Sequence, residues 1–281
     1  MSILVAGALH LDVVVRAAHL PALDETLTGQ GVDYVFGGKG GNQAVAAARM
    51  GAQVSFVGRV GGDAFGAQLR EGLVRTGVDI SQLQADPGPS GMSTAIVTDT
   101  GEYGAVIVSA ANLNIAVEPL SVPPGTRLIL LQNEVPEAVN LALAGLAKAD
   151  GAAVWLNAAP ARTLSPELAA CVDMLIVNRV EAGFYGDAFE QSRVLTTLGA
   201  DGVMYREATY PAHRVDVHST HGAGDVFVGA LAAEVAGGAP VETAIGFAQA
   251  AAALHVSAPQ AGRSTLSRKT VLRFLAAQPS P

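Results

Sequence analysis

The sequence carries the stretch THGAGDVFVGALAAEVA at residues 220–236, in which small residues lead directly into an apolar, alanine-rich helical pattern. A helix that begins in this way exposes several backbone N–H groups, which can bind an anion. Asp225 stands beside them, where its carboxylate can take a proton from a nucleophile. This combination suits phosphoryl transfer from a nucleotide to a hydroxyl group. The alternative interpretation is a tight turn followed by an ordinary first-turn acid.

Outward from this stretch, short apolar runs rich in β-formers alternate with alanine-rich helical patterns. The predicted strands are 3–7, 53–60, 128–131, 153–157 and 174–178, and the predicted helices are 43–50, 64–76, 136–149 and 166–171. Repeated strand–helix units of this kind predict an α/β fold with a mainly parallel sheet. Polar residues end several strands, at Asn133, Glu134, Asn157 and Asn178, and ligands of such sheets bind at the carboxyl ends of strands. The sequence therefore predicts one cleft at that edge.

Two segments interrupt the alternation, at residues 12–35 and 91–109. Both contain alternating stretches with threonine, valine and tyrosine and with turn residues, which are typical of hairpin strands. We expect them to pair in space as a small separate sheet that forms a lid over the cleft. Residues 1–281 are accordingly expected to form one domain.

Composition limits the possible partners. The chain has 281 residues, 50% of them hydrophobic, with a formal net charge of -8 and a pI of about 5.2. An acidic chain of this kind argues against nucleic acid as a partner and favours small molecules. Cys171 is the only cysteine, so no internal disulfide can form. Because the first residues lack a basic start and a long apolar run, we expect no membrane association and a cytoplasmic location.

A second local signal is FGGKGGNQA at residues 36–44. Its glycines let the backbone approach a ligand closely, and Asn42, at the expected start of a helix, offers both a donor and an acceptor to hydroxyl groups. The glycine and lysine spacing matches neither a Walker A loop nor a dinucleotide-binding motif. A flexible linker leaving the lid is the alternative interpretation.

Together, GGKGGNQAVAAARMG at 37–51 and GAGD at 222–225 resemble the two signatures of the PfkB, or ribokinase-like, carbohydrate kinase family. The resemblance extends over roughly residues 3–275 and is strongest to the ribose-phosphorylating members. Further stretches that agree with it are GRVGGDAFG at 58–66, NAAPAR at 157–162 and NRVE at 178–181. It implies a single ribokinase-like domain, a three-layer α/β/α sandwich with a mainly parallel central sheet and a small β-sheet lid.

The resemblance also implies an activity, the ATP-dependent phosphorylation of the primary hydroxyl of a small sugar, D-ribose to ribose 5-phosphate. Asp225 matches the general base, and the N–H groups of Gly222, Ala223 and Gly224 match the anion hole for the transferred phosphoryl group. The positions that match sugar-binding residues are His10, Asp12, Gly38, Lys39, Asn42 and Glu134.

For the nucleotide and the metal ions, the resemblance assigns further residues. The positions that match nucleotide-binding residues are Asn178, Thr197, Gly199, Gly202, Gly224 and Gln249. Asn178 and Glu181 match a pair that positions Mg²⁺ through its waters. Ser219 and His221 fall where the family holds a monovalent cation, but Ser219 replaces the usual aspartate, which leaves activation by K⁺ open.

Two other departures from the family pattern keep alternatives open. His10 stands where an asparagine usually contacts the sugar, and residues 182–193 are shorter than the corresponding family segment. A nucleoside or other sugar kinase, or a sugar-binding homologue with impaired catalysis, is therefore also compatible with the sequence. Because exposed lid edges invite pairing with a second copy, we expect a homodimer formed through the lid.

Overall fold

The computed structural model describes residues 2–100 and 102–278. Strands β1–β13 are Ser2–Ala6, His10–Ala17, Gly31–Gly37, Gln53–Gly61, Asp79–Asp86, Met92–Thr98, Tyr103–Val108, Leu128–Gln132, Ala153–Asn157, Met174–Asn178, Val194–Thr197, Val203–Tyr205 and Ala208–Tyr210. Helices α1–α8 are Lys39–Arg49, Ala64–Arg75, Glu137–Ala149, Pro166–Cys171, Arg179–Tyr185, Ala223–Ala236, Val241–Ser257 and Arg268–Ala276. In this part of the chain, no helix has the length and the hydropathy needed to cross a membrane.

Nine strands form the central sheet, in the order β13-β12-β11-β10-β9-β8-β1-β4-β5. Seven of them, from β11 to β5, run in the same direction, and only the pairs β11–β12 and β12–β13 at one edge are antiparallel. The predicted mainly parallel sheet is confirmed, with each predicted strand present to within one or two residues. The edge strand β5 was not predicted, because its sequence DISQLQAD contains few apolar residues.

Helices cover both faces of this sheet. Along β1, Ile3 and Val5 pack with α1, α2, α6 and α7 on one face, whereas Leu4 and Ala6 pack with α3, α4 and α5 on the other. All four side chains are fully buried, as expected for a parallel strand covered on both sides. This arrangement confirms the three-layer α/β/α sandwich.

The two interrupting segments form a second sheet of four strands, in the order β3-β2-β6-β7. Its outer pairs, β2–β3 and β6–β7, are antiparallel, whereas the central pair β2–β6 is parallel. Because β2 follows β1 after only three residues, the small sheet starts at the carboxyl edge of the central sheet. This position brings its first residues to the predicted cleft.

Helix α1 begins four residues earlier than expected, so the prediction that Asn42 starts the helix was wrong. Lys39, Gly40 and Gly41 form the first turn, and the N–H of Asn42 donates to the carbonyl of Gly38 at 2.9 Å. The glycines are explained by close packing, because a Cβ on Gly40 would lie 2.6 Å from the Cα of Gly7. They bring α1 against β1 and do not form a flexible linker.

Candidate active site

Asp225 lies in the first turn of α6, opposite the first turn of α1. Its carboxylate accepts a hydrogen bond from Asn42 Nδ2 at 3.1 Å and another from Gln43 Nε2 at 3.0 Å. The two glycine-containing motifs, more than 180 residues apart in the chain, thus meet at one carboxylate. Gly229 makes this possible, because a Cβ there would lie 2.5 Å from the carbonyl oxygen of Gln43 and would push the two helices apart.

Gln43 is a site residue that the sequence-based prediction missed. Its amide nitrogen lies 2.9 Å from Asn157 Oδ1, and its amide oxygen accepts from Gln132 Nε2 at 2.8 Å. The side chain therefore links Asp225 to the ends of two central strands, β8 and β9. The signal available in the sequence was a glutamine on an otherwise alanine-rich helix face, and the structure buries this amide fully.

Glu134 and Lys39 form the next part of the cluster. Glu134 follows β8, and its carboxylate accepts the backbone N–H of Lys39 at 2.8 Å. Burial raises the pKa of Glu134 to about 7, although the Lys39 charge and N–H act in the opposite direction and Asp225 and Asp12 raise it further. Lys39, Asp225 and Asp12 are therefore close enough to Glu134 to influence its charge.

The small sheet contributes Asp12 and His10. Asp12 accepts a hydrogen bond from Ser93 Oγ at 2.5 Å, and its other carboxylate oxygen lies 3.8 Å from Nε2 of His221. His10 is only 4% exposed, and burial lowers its pKa. Among the described residues, its Nε2 is one of the few buried side-chain atoms without a hydrogen-bond partner. A neutral buried imidazole with an available nitrogen is chemically suited to a sugar hydroxyl.

The start of α6 has the geometry of an anion site. Gly222 adopts the left-handed conformation, with φ 77°, immediately before the first helical residue. The N–H of Ala223 donates to the carbonyl of Thr220 at 3.2 Å, so one of the three predicted anion-hole donors is already engaged. At Gly224, a Cβ would meet nothing within 4 Å, so the space beside this residue is open to a ligand.

Burial also raises the pKa of Asp225, which carries the predicted base function. Lys39, Gln43 and Asn42 oppose this effect by stabilising the negative charge. A carboxylate held this way remains a hydrogen-bond acceptor and becomes a stronger base than an exposed aspartate.

On the predicted nucleotide side, Asn178 and Thr197 are register partners at the carboxyl ends of β10 and β11. Asn178 caps α5, accepting the N–H groups of Val180 and Glu181 at 2.9 Å each, while Glu181 accepts the N–H of Asn178 at 2.8 Å. A capping box requires residues at the N-cap and three positions later, so it accounts by itself for the spacing between Asn178 and Glu181. Over residues 2–100 and 102–278, no cluster of three or more metal-ligating side chains is present.

Gly199, Gly202 and Gln249 lie near the antiparallel edge of the central sheet. Gly202 has φ 104°, and a Cβ there would lie 2.0 Å from the carbonyl oxygen of Tyr210. Gln249, on α7, donates to the same oxygen at 2.7 Å. The structure thus gives Gly202 and Gln249 a structural role at this edge, next to the loop that follows β11.

The loop before α6 is fixed by two residues that the prediction missed, Arg263 and His255. Arg263 donates to the carbonyl oxygen of Ser219 at 3.0 Å, and Nε2 of His255 lies 2.9 Å from the carbonyl oxygen of His221. Both come from the last part of the chain, and no local sequence pattern indicated them.

The fold and this cluster define a class. A carboxylate sits beside a helix N-terminus, and acid, amide and imidazole groups surround it at the carboxyl edge of a parallel sheet. Such an arrangement can deprotonate a hydroxyl group of a polyol while N–H groups hold a phosphoryl group, which is the chemistry of a carbohydrate kinase.

Comparison with known proteins identifies the family. The model of the pfkB family carbohydrate kinases matches residues 2–268, and the chain belongs to this family. It is 33% identical to the ribokinase of Haemophilus influenzae, over 96% of this chain and 97% of that protein. It is also 33% identical to the ribokinase of Bacillus subtilis, over 91% and 92% of the two chains.

The fold also has a solved counterpart. The structure of Arabidopsis thaliana ribokinase complexed with ribose and ATP superposes with a TM-score of 0.87 at 28% identity, covering 98% of this chain and 99% of the other. The predicted family and fold class are therefore confirmed, and the protein is a sugar kinase.

Proposed function

We propose that the protein transfers the γ-phosphoryl group of ATP to the primary hydroxyl of D-ribose, giving ribose 5-phosphate and ADP. The observation that carries this proposal is the carboxylate of Asp225, held by Asn42 and Gln43 at the start of α6. The relatives named ribokinase and the neighbour complexed with ribose and ATP support the choice of sugar and donor.

In the proposed reaction, Asp225 accepts the proton of the primary hydroxyl as its oxygen attacks the γ-phosphorus. The bond from that phosphorus to the β–γ bridging oxygen breaks, and ADP leaves. Backbone N–H groups at Gly222 and Gly224 hold the charge on the transferred group, with the N–H of Ala223 joining them if its bond to Thr220 is released. General-base assistance of this kind contributes about 10²- to 10⁴-fold in rate.

The remaining sugar hydroxyls would be bound by the polar groups that surround Asp225. The carboxylates of Asp12 and Glu134 would accept hydrogen bonds from sugar hydroxyls. Asn42 can donate and accept, and His10 offers its buried Nε2. Gly38 and Lys39 form the floor of this pocket, where φ 87° at Gly38 turns the chain into α1.

For the nucleotide, we assign Asn178, Thr197, Gly199 and Gly202 to the wall that faces the phosphates and the base. Gln249 would lie next to this wall, on α7. Asn178 and Glu181 would position Mg²⁺ through its waters, since magnesium usually keeps several waters and takes only one or two carboxylates beside the substrate phosphates. When bound, it neutralises the charge that develops on the phosphate oxygens.

The small sheet is proposed to act as a lid that excludes water from ATP, and its edge is proposed to pair with a second copy in a homodimer. Val106, Ile107 and Val108 on the edge strand β7 are 50–68% exposed, which supports such an interface. A kinase that consumes ATP also needs a compartment that supplies it, so we place the reaction in the cytoplasm.

The test is a coupled assay of ADP formation with ribose, other pentoses, fructose and nucleosides, for the wild type and for Asp225→Asn. We expect ribose to give the highest kcat/KM, and the substitution to lower kcat by about 10²- to 10⁴-fold while the KM for ribose changes less than about threefold. Asp150→Asn, at the exposed end of α3, is the control and keeps wild-type rates.

Three results would count against the proposal. Unchanged turnover by the Asp225 variant would remove the general base. His10 places a buried Nε2 without a hydrogen-bond partner beside the proposed sugar site, which makes a different substrate the second candidate. Turnover of a nucleoside but not of ribose would identify the protein as a nucleoside kinase. Ribose binding without ADP formation by the wild type would indicate a catalytically impaired homologue.

A further inference from the structure

Arg263 lies in a 3₁₀ turn, Gln260–Thr265, that follows α7. The residue is 8% exposed, and its guanidinium donates to the carbonyl oxygens of Ser219 and His221 at 3.0 and 3.4 Å. Its own carbonyl oxygen accepts a hydrogen bond from Arg49, on α1, at 3.1 Å. One buried cation is thus fixed between α1 and the loop that leads into α6.

The position of this cation is close to the proposed chemistry. Ser219 lies three residues before Gly222, which starts the anion site of α6, and His221 lies directly before it. Two backbone carbonyl oxygens that point to the same place form a ligand arrangement that proteins also use to bind K⁺. In this chain, the guanidinium of Arg263 lies at that place and donates to both carbonyl oxygens.

A monovalent metal ion does not fit at this place. Ser219 supplies no negative charge, and its hydroxyl accepts the N–H of His221 at 3.3 Å. A cavity of about 800 Å³ beside the loop is lined by Arg49, Arg75, Arg263, His221 and His255, and its described lining contains no carboxylate. A second cation next to Arg263 would meet only positive or neutral side chains there, so electrostatic repulsion opposes it.

We propose that Arg263 is a built-in cation that holds the loop before α6 in its anion-binding shape, so that phosphoryl transfer does not require K⁺. In the proposed reaction, Arg263 is assigned no contact with the sugar or the phosphates. It is a positioning residue, which acts through the carbonyl groups of Ser219 and His221. The inference rests on the proposed function for its activity readout, but not for its stability readout.

The activity arm measures ribose-dependent ADP formation in KCl, NaCl and tetramethylammonium chloride at equal ionic strength. The wild type is expected to differ by less than about twofold among the three salts. Arg263→Met is expected to lose about 10- to 100-fold in kcat with little change in the KM for ribose, because two charge-assisted hydrogen bonds are removed. Guanidinium ion at low concentration, or K⁺, should restore part of the loss, and Arg263→Lys should retain more activity than Arg263→Met.

The stability arm needs no turnover and compares melting temperatures in KCl and in tetramethylammonium chloride. K⁺ is expected to leave the wild type unchanged and to raise the melting temperature of Arg263→Met, whose loop carbonyls have lost their cation. Arg75→Met is the matched control, because Arg75 lines the same cavity but its side chain is 69% exposed and pairs with Glu71. This control should behave as the wild type in both arms.

Two results would overturn the inference. One is a wild-type kcat that rises more than about tenfold in K⁺, or a wild-type melting temperature that K⁺ raises selectively. The other is a folded Arg263→Met variant with an unchanged kcat in every salt. If the wild type phosphorylates no sugar, the proposed function fails, and the melting temperatures alone decide the role of Arg263.

Discussion

The substitution Glu134→Gln tests whether the carboxyl group beside Lys39 is protonated in the native protein near neutral pH. Burial raises the pKa of Glu134 from an ordinary 4.5 to about 7. Between these two values, the native protein holds one proton more than the unfolded chain, so raising the pH lowers the free energy of unfolding. At roughly 1.4 kcal/mol per pH unit, the loss between pH 4.5 and pH 7 amounts to about 3 kcal/mol.

Glutamine at position 134 does not titrate and avoids this loss. The difference in the free energy of unfolding, variant minus wild type, should therefore increase by about 3 kcal/mol when the pH is raised from 4.5 to 8. Urea unfolding at several pH values measures it, and taking the difference cancels the other titrating groups. Glu167→Gln, an exposed position on α4, is the control and should show a difference that stays within about 0.5 kcal/mol at each pH.

A difference for Glu134→Gln that changes by less than about 1 kcal/mol over this range would refute the reasoning. A change of the opposite sign would refute it more strongly. It would mean that Lys39 outweighs burial and that Glu134 is a stabilised carboxylate at pH 7.

Two further predictions concern the amide network and the proposed dimer. Gln43→Leu should lower the free energy of unfolding by about 1–3 kcal/mol, because the buried Gln132 and the half-buried Asn157 each lose a hydrogen bond. It should also move the acidic limb of the kcat–pH profile to higher pH, because Asp225 loses a hydrogen-bond donor that lowers its pKa. Urea unfolding measures the first effect and a pH series of kcat measures the second. An unchanged acidic limb would contradict the role of Gln43. Ile107→Asp should convert the proposed dimer into a monomer in sedimentation equilibrium, and a wild type that is monomeric at micromolar concentration would contradict the interface.

Much of the central sheet could be predicted because its elements are specified locally. Ala153–Asn157, Pro166–Cys171 and Met174–Asn178 have the predicted bounds, since apolar runs, Pro at a helix start and polar strand ends are signals within a few residues. The small sheet was predicted from its two segments. Its parallel central pair was not, because register between distant strands depends on how the segments meet.

The start of α1 shows a limit of local reasoning. Glycines around Lys39 suggested a loop, since glycine is unfavourable in a helix interior. Packing outweighs that preference, because only glycine allows α1 to approach Gly7 and Leu9 so closely. The same residues that appear flexible in sequence are among the most tightly constrained in the structure.

The sequence by itself determined the family, the layered α/β architecture and the identity of the candidate base, because motifs and periodicity lie within short windows of the chain. Only the tertiary structure decided which groups act on that base: Gln43 and Asn42 reach Asp225 from α1, and burial sets the pKa of Glu134. It also placed Arg263 against the loop before α6. The hydrogen bond between Gln43 and Asp225 joins residues 182 positions apart, and the one between Arg263 and His221 joins residues 42 positions apart. No local sequence pattern specifies such distant neighbours.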